Sequence, residues 1–340
     1  MSTRQSDKGG RATTDRAMTG RAVTNRAVTN RAVTGRATTS RPGTGRRPKV
    51  PKTTQRQGRG PRENPVSVFG STAFMALFAV YFLTPLWWVF VASTKTRSSL
   101  ASSFGLWFSS DFQLGGNLRD LAAENGGRYL RWCLNSLLYA GVGGAIATLI
   151  AAMMGYALGK YAFRGREAMF NVILCGILMP GTVLALPLFL LFNSAGLVNT
   201  FWAVFLPSLV SPFGVYLARI YAASAMPDEV MEAARIDGSG ELRTFATIGL
   251  RIMAPALVTM FLFQFTQIWN NFFLPLVMLQ NDRLYPVSLG LYSWNSQIYY
   301  APQLRMLVIV GSFVAVVPVI IAFLLLQRYW RTGLTEGSVK

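Results

Sequence analysis

Residue types that do chemistry are scarce in this sequence. Its 340 residues include no histidine, which removes imidazole acid/base catalysis and the commonest metal ligand. The two cysteines, Cys133 and Cys175, are far apart and near or within apolar runs. They read as small buried hydrophobes, with neither a disulfide framework nor zinc spacing. GYALGK at 155–160 has the outline of a phosphate loop, but its glycines are one residue too close, and Tyr161 stands where Ser or Thr would hold magnesium. Gly155 and Gly159 read instead as a GxxxG pair for close helix packing, in a run that opens with Gly141, Gly143 and Gly144. This chain is therefore expected to bind no nucleotide, metal or other cofactor.

Two polar constellations remain. In FQFTQIWNNFF (263–273), Gln264, Gln267 and Asn271 share a helical face by 3-then-4 spacing, with Trp269 and Asn270 beside them. Gln264 lies 13 residues beyond Arg251. At 1.5 Å per residue that is about 20 Å, which places the group from mid-membrane toward the outer side. Uncharged amides beside aromatic rings suit a sugar, whose hydroxyls need hydrogen bonds and whose ring face packs on apolar surface. The same residues also fit amide bonding between neighbouring spans. Trp294, Tyr299 and Tyr300 fit either an interfacial aromatic belt or contacts for a docked protein.

The second constellation is AASAMPDEVMEAARIDGSGELRTFATIGLR, 222–251. Pro227 suits a first helical position, and Asp228, Glu229 and Glu232 favour the positive end of a helix. Val230, Ala233 and Ala234 share a small face. Arg235 sits near the C-terminal end, and after Asp237 the residue Gly238 supplies a left-handed stop. Ser239 can cap a second helix carrying Leu242, Phe245 and Ile248. The residues alone admit two readings, a rigid protrusion that transmits a push or an ordinary amphipathic connector.

The elements that position these groups are membrane spans. Hydrophobic residues make up 51 % of the sequence and charged ones 14 %, against about 25 % charged in a soluble domain. Uncharged runs near 67–93, 132–158, 168–192, 200–221, 252–279 and 306–327 predict an all-α six-helix transmembrane bundle. Residues 1–66 hold 16 of the 33 basic residues and 3 of the 14 acidic ones, and repeat a five-residue unit with arginine at 11, 16, 21, 26, 31, 36 and 41. Few and small apolar residues there predict a disordered basic tail. It is either a solvated appendage or a segment that adheres to anionic membrane lipid. No aromatic residue precedes Phe69, which disfavours nucleic-acid binding.

Basic residues of short loops set orientation. The tail, then Lys160, Arg164 and Arg166, Arg235, Arg243 and Arg251, and Arg328, Arg331 and Lys340 are assigned to the cytoplasm. Both termini then lie inside the plasma membrane, and 94–131, 193–199 and 280–305 lie outside. The first outer loop partly violates the rule with Lys95, Arg97, Arg119, Arg128 and Arg131. The spans carry almost no charge for proton, sodium or voltage coupling, so uphill transport requires energy from another subunit.

The 222–251 stretch resembles the EAA motif of permease subunits in binding-protein-dependent ABC importers. Glu232, Ala233, Ala234, Gly238, Ile248 and Leu250 match at the family spacing, while Arg251 replaces a proline and Pro255 follows four residues later. That departure leaves open the angle at which the chain enters its fifth span. RYLRWCLNSL (128–137), MPG and LPLFL within 179–190, WNNFFLPL (269–276) and QRYWRTGLTEGSVK (327–340) resemble sugar-importer permeases, most nearly the maltose-type second subunit. The likeness covers about 95–340.

It implies the type I importer permease fold over 67–340, with a cytoplasmic coupling helix that docks in a cleft of a separate ATPase dimer. ATP and magnesium would belong to that partner. It further implies a second homologous permease subunit and an extracytoplasmic sugar-binding protein. Glu232, Ala233, Ala234, Asp237 and Gly238 would then couple to the ATPase, and Gln264, Gln267, Trp269, Asn270 and Asn271 are candidates for the substrate path. An importer of another polar solute, such as a polyamine or compatible solute, is the alternative. A stand-alone carrier or channel is disfavoured by the coupling motif and the lack of evident inverted repeats. A membrane enzyme lacks the acidic or histidine groups for chemistry.

Overall fold

The computed structural model describes residues 65–335, and all regular structure among them is helical. The disorder expected for the basic tail lies outside the described residues, except that Pro65 and Val66 already belong to the first helix. Helix α1 spans Pro65–Ser93, and the short α2 (Arg97–Ser102) and α3 (Leu114–Ala123) follow. Next, α4 (Arg128–Leu137) runs through a π turn at Leu138–Val142 into α5 (Gly143–Lys160). Val68–Ser93, Arg128–Lys160, Phe201–Ala225 and Leu304–Gln327 are each long and apolar enough to cross a membrane.

The other two expected spans are bent. The run at 168–192 divides into α6 (Arg166–Leu178) and α7 (Gly181–Ser194), which meet at 105°. Met179 precedes Pro180 and is driven to extended backbone, so no straight helix can pass. The run at 252–279 is likewise not one helix. The short α11 (Glu241–Thr244) and α12 (Leu250–Ile252), joined by a π turn, meet α13 (Ala254–Trp269) at 82°. Helix α13 stops at Trp269, and α14 (Phe273–Met278) is separate. Six crossings result when each bent pair counts as one.

The fourth span also has a joint. Helix α8 (Phe201–Ser208) gives way to α9 (Pro212–Ala225), with Pro212 at the start where its missing N–H costs nothing. Helix α10 (Asp228–Ile236) lies in the polar loop, α15 (Val287–Ser296) near the other end, and α16 (Leu304–Thr335) closes the bundle.

Small residues bring the central helices together. A Cβ on Gly155 would lie 2.4 Å from the Ala218 Cβ and 2.7 Å from the Arg219 nitrogen, and one on Gly159 would lie 3.1 Å from the Arg219 oxygen. The GxxxG reading of α5 is thus realised against α9, beside buried Ala151, Ala152 and Ala222. One core gathers Tyr129, Trp132, Trp294, Phe265 and Trp269. A second gathers Tyr156, Ala218, Met231, Phe245 and Met253. Among the cysteines, Cys133 is half-buried, but Cys175 is exposed on α6 rather than buried as expected. The spans carry one charge that composition understates. Arg219 on α9 donates to both Glu167 oxygens at 2.7 and 2.9 Å and stacks 3.7 Å over the Phe170 ring, so it is neutralised in place.

Candidate functional site

The polar loop between α9 and α13 is a folded unit fastened to α5. Pro227 is extended and stands just before α10, not in it, so Asp228 and Glu229 form the first turn, where the helix dipole favours them. At the other end Gly238 has φ +72°. The Gly238 N–H donates to the Arg235 carbonyl at 3.0 Å and the Ser239 N–H to the Ala234 carbonyl at 2.9 Å. This pair of bonds is the Schellman stop, whose left-handed position favours glycine. The cap of the second helix is Gly240, not Ser239, whose hydroxyl instead meets that of Thr244 at 3.0 Å.

Three side chains tie the loop to the bundle. Lys160 at the end of α5, with only 5 % of its side chain exposed, pairs with Asp228 at 2.8 Å and also donates to the Met226 carbonyl. The Tyr161 hydroxyl donates to Glu241, and Arg235 pairs with Glu241 at 3.2 Å. The Tyr156 hydroxyl meets the Met231 sulfur at 3.1 Å. Lys160 holds the Asp228 carboxyl below the usual carboxylate range by hydrogen bond and charge. Burial, then the bond to Glu241, pushes the Tyr161 phenol up.

The loop's inner face is Met231 and Ala234, both buried. Val230, Ala233 and Ala234 therefore do not form one small outward face. Ala234 turns inward, Val230 is half-buried and Ala233 is exposed. The outward surface carries Glu232, Ala233 and Asp237 with two bare aliphatic side chains, Ile236 at 86 % and Leu242 at 74 % exposure. Sequence reasoning missed Ile236, although its spacing from Glu232 and Ala233 was the available signal. With Arg251 in the proline position, the bend into α13 falls at buried Met253, and Pro255 stands in the first turn of α13.

The amide group of α13 is divided. Gln264 is buried and donates to the Ser208 carbonyl at 3.0 Å. Gln267 is exposed. Trp269 is buried and its indole donates to the Ala315 carbonyl at 3.1 Å. Asn270 caps the helix and donates to the Thr266 carbonyl at 2.9 Å, and half-buried Asn271 lies beyond the helix end. The shared face of Gln264, Gln267 and Asn271 does not form, because the helix ends before Asn271. Gln267 and Asn270 are the exposed amides of the set.

At the opposite end, RYLRWCLNSL is a clamp. Trp132 donates to the Asp282 carbonyl at 2.7 Å, Asn135 to the Arg283 and Tyr285 carbonyls at 2.9 and 3.0 Å, and Tyr129 to the Gly311 carbonyl at 2.7 Å. Trp294 is core, packed 4.6 Å from Trp132, while Tyr299 and Tyr300 are exposed.

The sequence model of the family described as "binding-protein-dependent transport system inner membrane component" matches residues 144–334. The chain is 36 % identical over 275 residues to the arabinooligosaccharides transport system permease protein of Halalkalibacterium halodurans, covering 79 % of this chain and 94 % of the relative. It is 30 % identical to the lactose transport system permease protein of Rhizobium radiobacter, covering 81 % and 94 %. The crystal structure of a bacterial ABC transporter involved in import of the acidic polysaccharide alginate contains a chain that superposes with TM-score 0.68 at 22 % identity, covering 79 % of this chain and 98 % of that one. That likeness is one of fold.

Proposed function

This chain belongs to the family of binding-protein-dependent transport system inner membrane components, and we propose that it forms part of the translocation path of a sugar importer. The cargo is a mono-, di- or oligosaccharide, in line with relatives named for arabinooligosaccharides and lactose. A second permease subunit completes the path, an extracytoplasmic binding protein delivers the sugar, and a separate ATPase dimer supplies energy from magnesium-bound ATP. The chain is a multi-pass membrane protein, oriented in the plasma membrane with both termini in the cytoplasm. The translocation path includes Gln267, Asn270 and Asn271, with Gln264 and Trp269 behind them.

The observation that carries the coupling role is the polar loop itself. It exposes Glu232, Ala233, Ile236, Asp237 and Leu242 on one side and is pinned to α5 by Lys160, Tyr161 and Tyr156 on the other. A push on such a surface moves α5 and α13 instead of a slack connector. The test is uptake of radiolabelled oligosaccharide with Gly238→Asp and Glu232→Lys. Both variants insert normally and lose uptake, and Gly238→Asp also loses the ATPase on purification. Normal uptake and normal ATPase association in Gly238→Asp would sink the proposal.

A further inference from the structure

We propose that the bundle end opposite the α10–α12 loop holds the phosphate of an anionic phospholipid in a pocket built on Lys95 and Arg305. Lys95 comes two residues after α1 ends and is 1 % exposed. Its backbone is locked, because the Asn117 amide donates to the Ser93 and Lys95 carbonyls at 2.9 Å each and the Gln113 N–H to the Thr94 carbonyl at 2.7 Å. Its ammonium donates to the Ser103 hydroxyl at 2.8 Å and the Phe104 carbonyl at 2.7 Å. Both acceptors are neutral. An ammonium has three donors, so one donor and the whole charge are left to the cavity it lines.

That cavity, about 540 Å³, is lined by Lys95, Arg305 and Asn295 together with the apolar Trp88, Val308 and Ile309. An adjoining hollow of about 500 Å³ shares Arg305 and adds Arg97 and Gln303. No acidic residue lines either one, and no carboxylate of the described residues pairs with Lys95, Arg97 or Arg305. A buried cation without a counter-charge is costly, and a phosphate supplies that charge, with the Asn295 amide a further polar group on the same cavity wall.

Position selects lipid as the source. Lys95 and Arg305 sit where the apolar spans Val68–Ser93 and Leu304–Gln327 meet the polar end of the molecule. Trp88 lines the pocket, and Phe104, Trp107 and Phe112 in the same region are exposed. Aromatic side chains of this kind mark headgroup level, the depth at which a lipid phosphate lies.

The test uses the full chain, purified with the partners it carries out of the membrane, and spin-labelled phosphatidylglycerol against spin-labelled phosphatidylcholine. The wild-type chain prefers phosphatidylglycerol by about fivefold or more, the scale of one basic residue at a charged surface. Lys95→Met removes the preference. Since Lys95 is buried and its variant can misfold, Arg97→Gln/Arg305→Gln is the second arm, and it brings the two lipids to parity with thermal stability unchanged. An unchanged preference in that double variant overturns the proposal. Displacement of the labelled lipid by millimolar inorganic phosphate assigns the pocket to a free anion and also overturns it. So does a wild-type chain with no lipid preference whose Arg305→Gln variant binds the extracytoplasmic binding protein more weakly, since the pocket then serves a protein.

Discussion

Pro212 has no N–H to offer the Ser208 carbonyl one turn earlier, and Gln264 donates to that carbonyl at 3.0 Å from another helix. Gln264→Leu should therefore leave a buried carbonyl unbonded, at a cost of about 1–3 kcal/mol. The expected outcome is a lower thermal midpoint for the purified complex with the sugar KM unchanged. Gln267→Leu should do the reverse, because an exposed side chain alters stability by roughly 0.5 kcal/mol or less while the wall of the proposed path changes. A raised KM with an unmoved midpoint in Gln264→Leu would return that residue to the path wall. The sequence shows the amides and admits both roles. It cannot choose, because the deciding partner lies 56 residues away. Gly155 was more legible, since a glycine pair four apart in an apolar run is a local pattern for close helix packing, though only the structure names Ala218 as what it packs against.

At the scale of elements, the loop's grip on α5 rests on Lys160 and Tyr161. Lys160→Met strands the Met226 carbonyl and frees Asp228 to solvent, and Tyr161→Phe releases Glu241 from α5. The double variant should keep ATP hydrolysis and lose uptake, so ATP consumed per sugar rises. Paired hydrolysis and uptake assays on reconstituted complex check this, and a parallel fall in both would make the contacts merely structural. The Asp228 carboxyl is held low, so the pair is fully present above the ordinary value of about 3.9. It is lost only as pH falls through the depressed value, and uptake between about pH 6 and 8 should owe no pH dependence to it. The loop's helix and its glycine stop were legible because caps and dipoles are local. The bend at Pro180 was available in MPG. The break at Asn270–Phe272 was not, since apolar residues continue on both sides and hydropathy runs through it.

At the scale of the molecule, the contacts define two polar ends. Lys160 with Asp228 and Tyr161 with Glu241 gather the loops after α5 and α9 at one end, and Arg128 with Asp282 marks the other. The first end carries Lys160, Arg164, Arg166, Arg235, Arg243 and Arg251, with Arg328 and Arg331 at the end of α16. The second carries Lys95, Arg97, Arg119, Arg128, Arg131, Arg283 and Arg305. Basic residues of the bundle alone thus give little bias, and the 16 in residues 1–66, joined directly to α1, must decide the orientation. In the proposed orientation the α10–α12 loop faces the cytoplasm, within reach of the proposed ATPase, and the Lys95 pocket faces the outer leaflet. With Cys133 and Cys175 replaced by serine, Thr247→Cys should react with a membrane-impermeant maleimide only in inside-out vesicles. Ser296→Cys, exposed at the last residue of α15, should react in intact cells. The opposite pattern would place the coupling surface outside, beyond any ATPase, and would remove the mechanism along with the orientation.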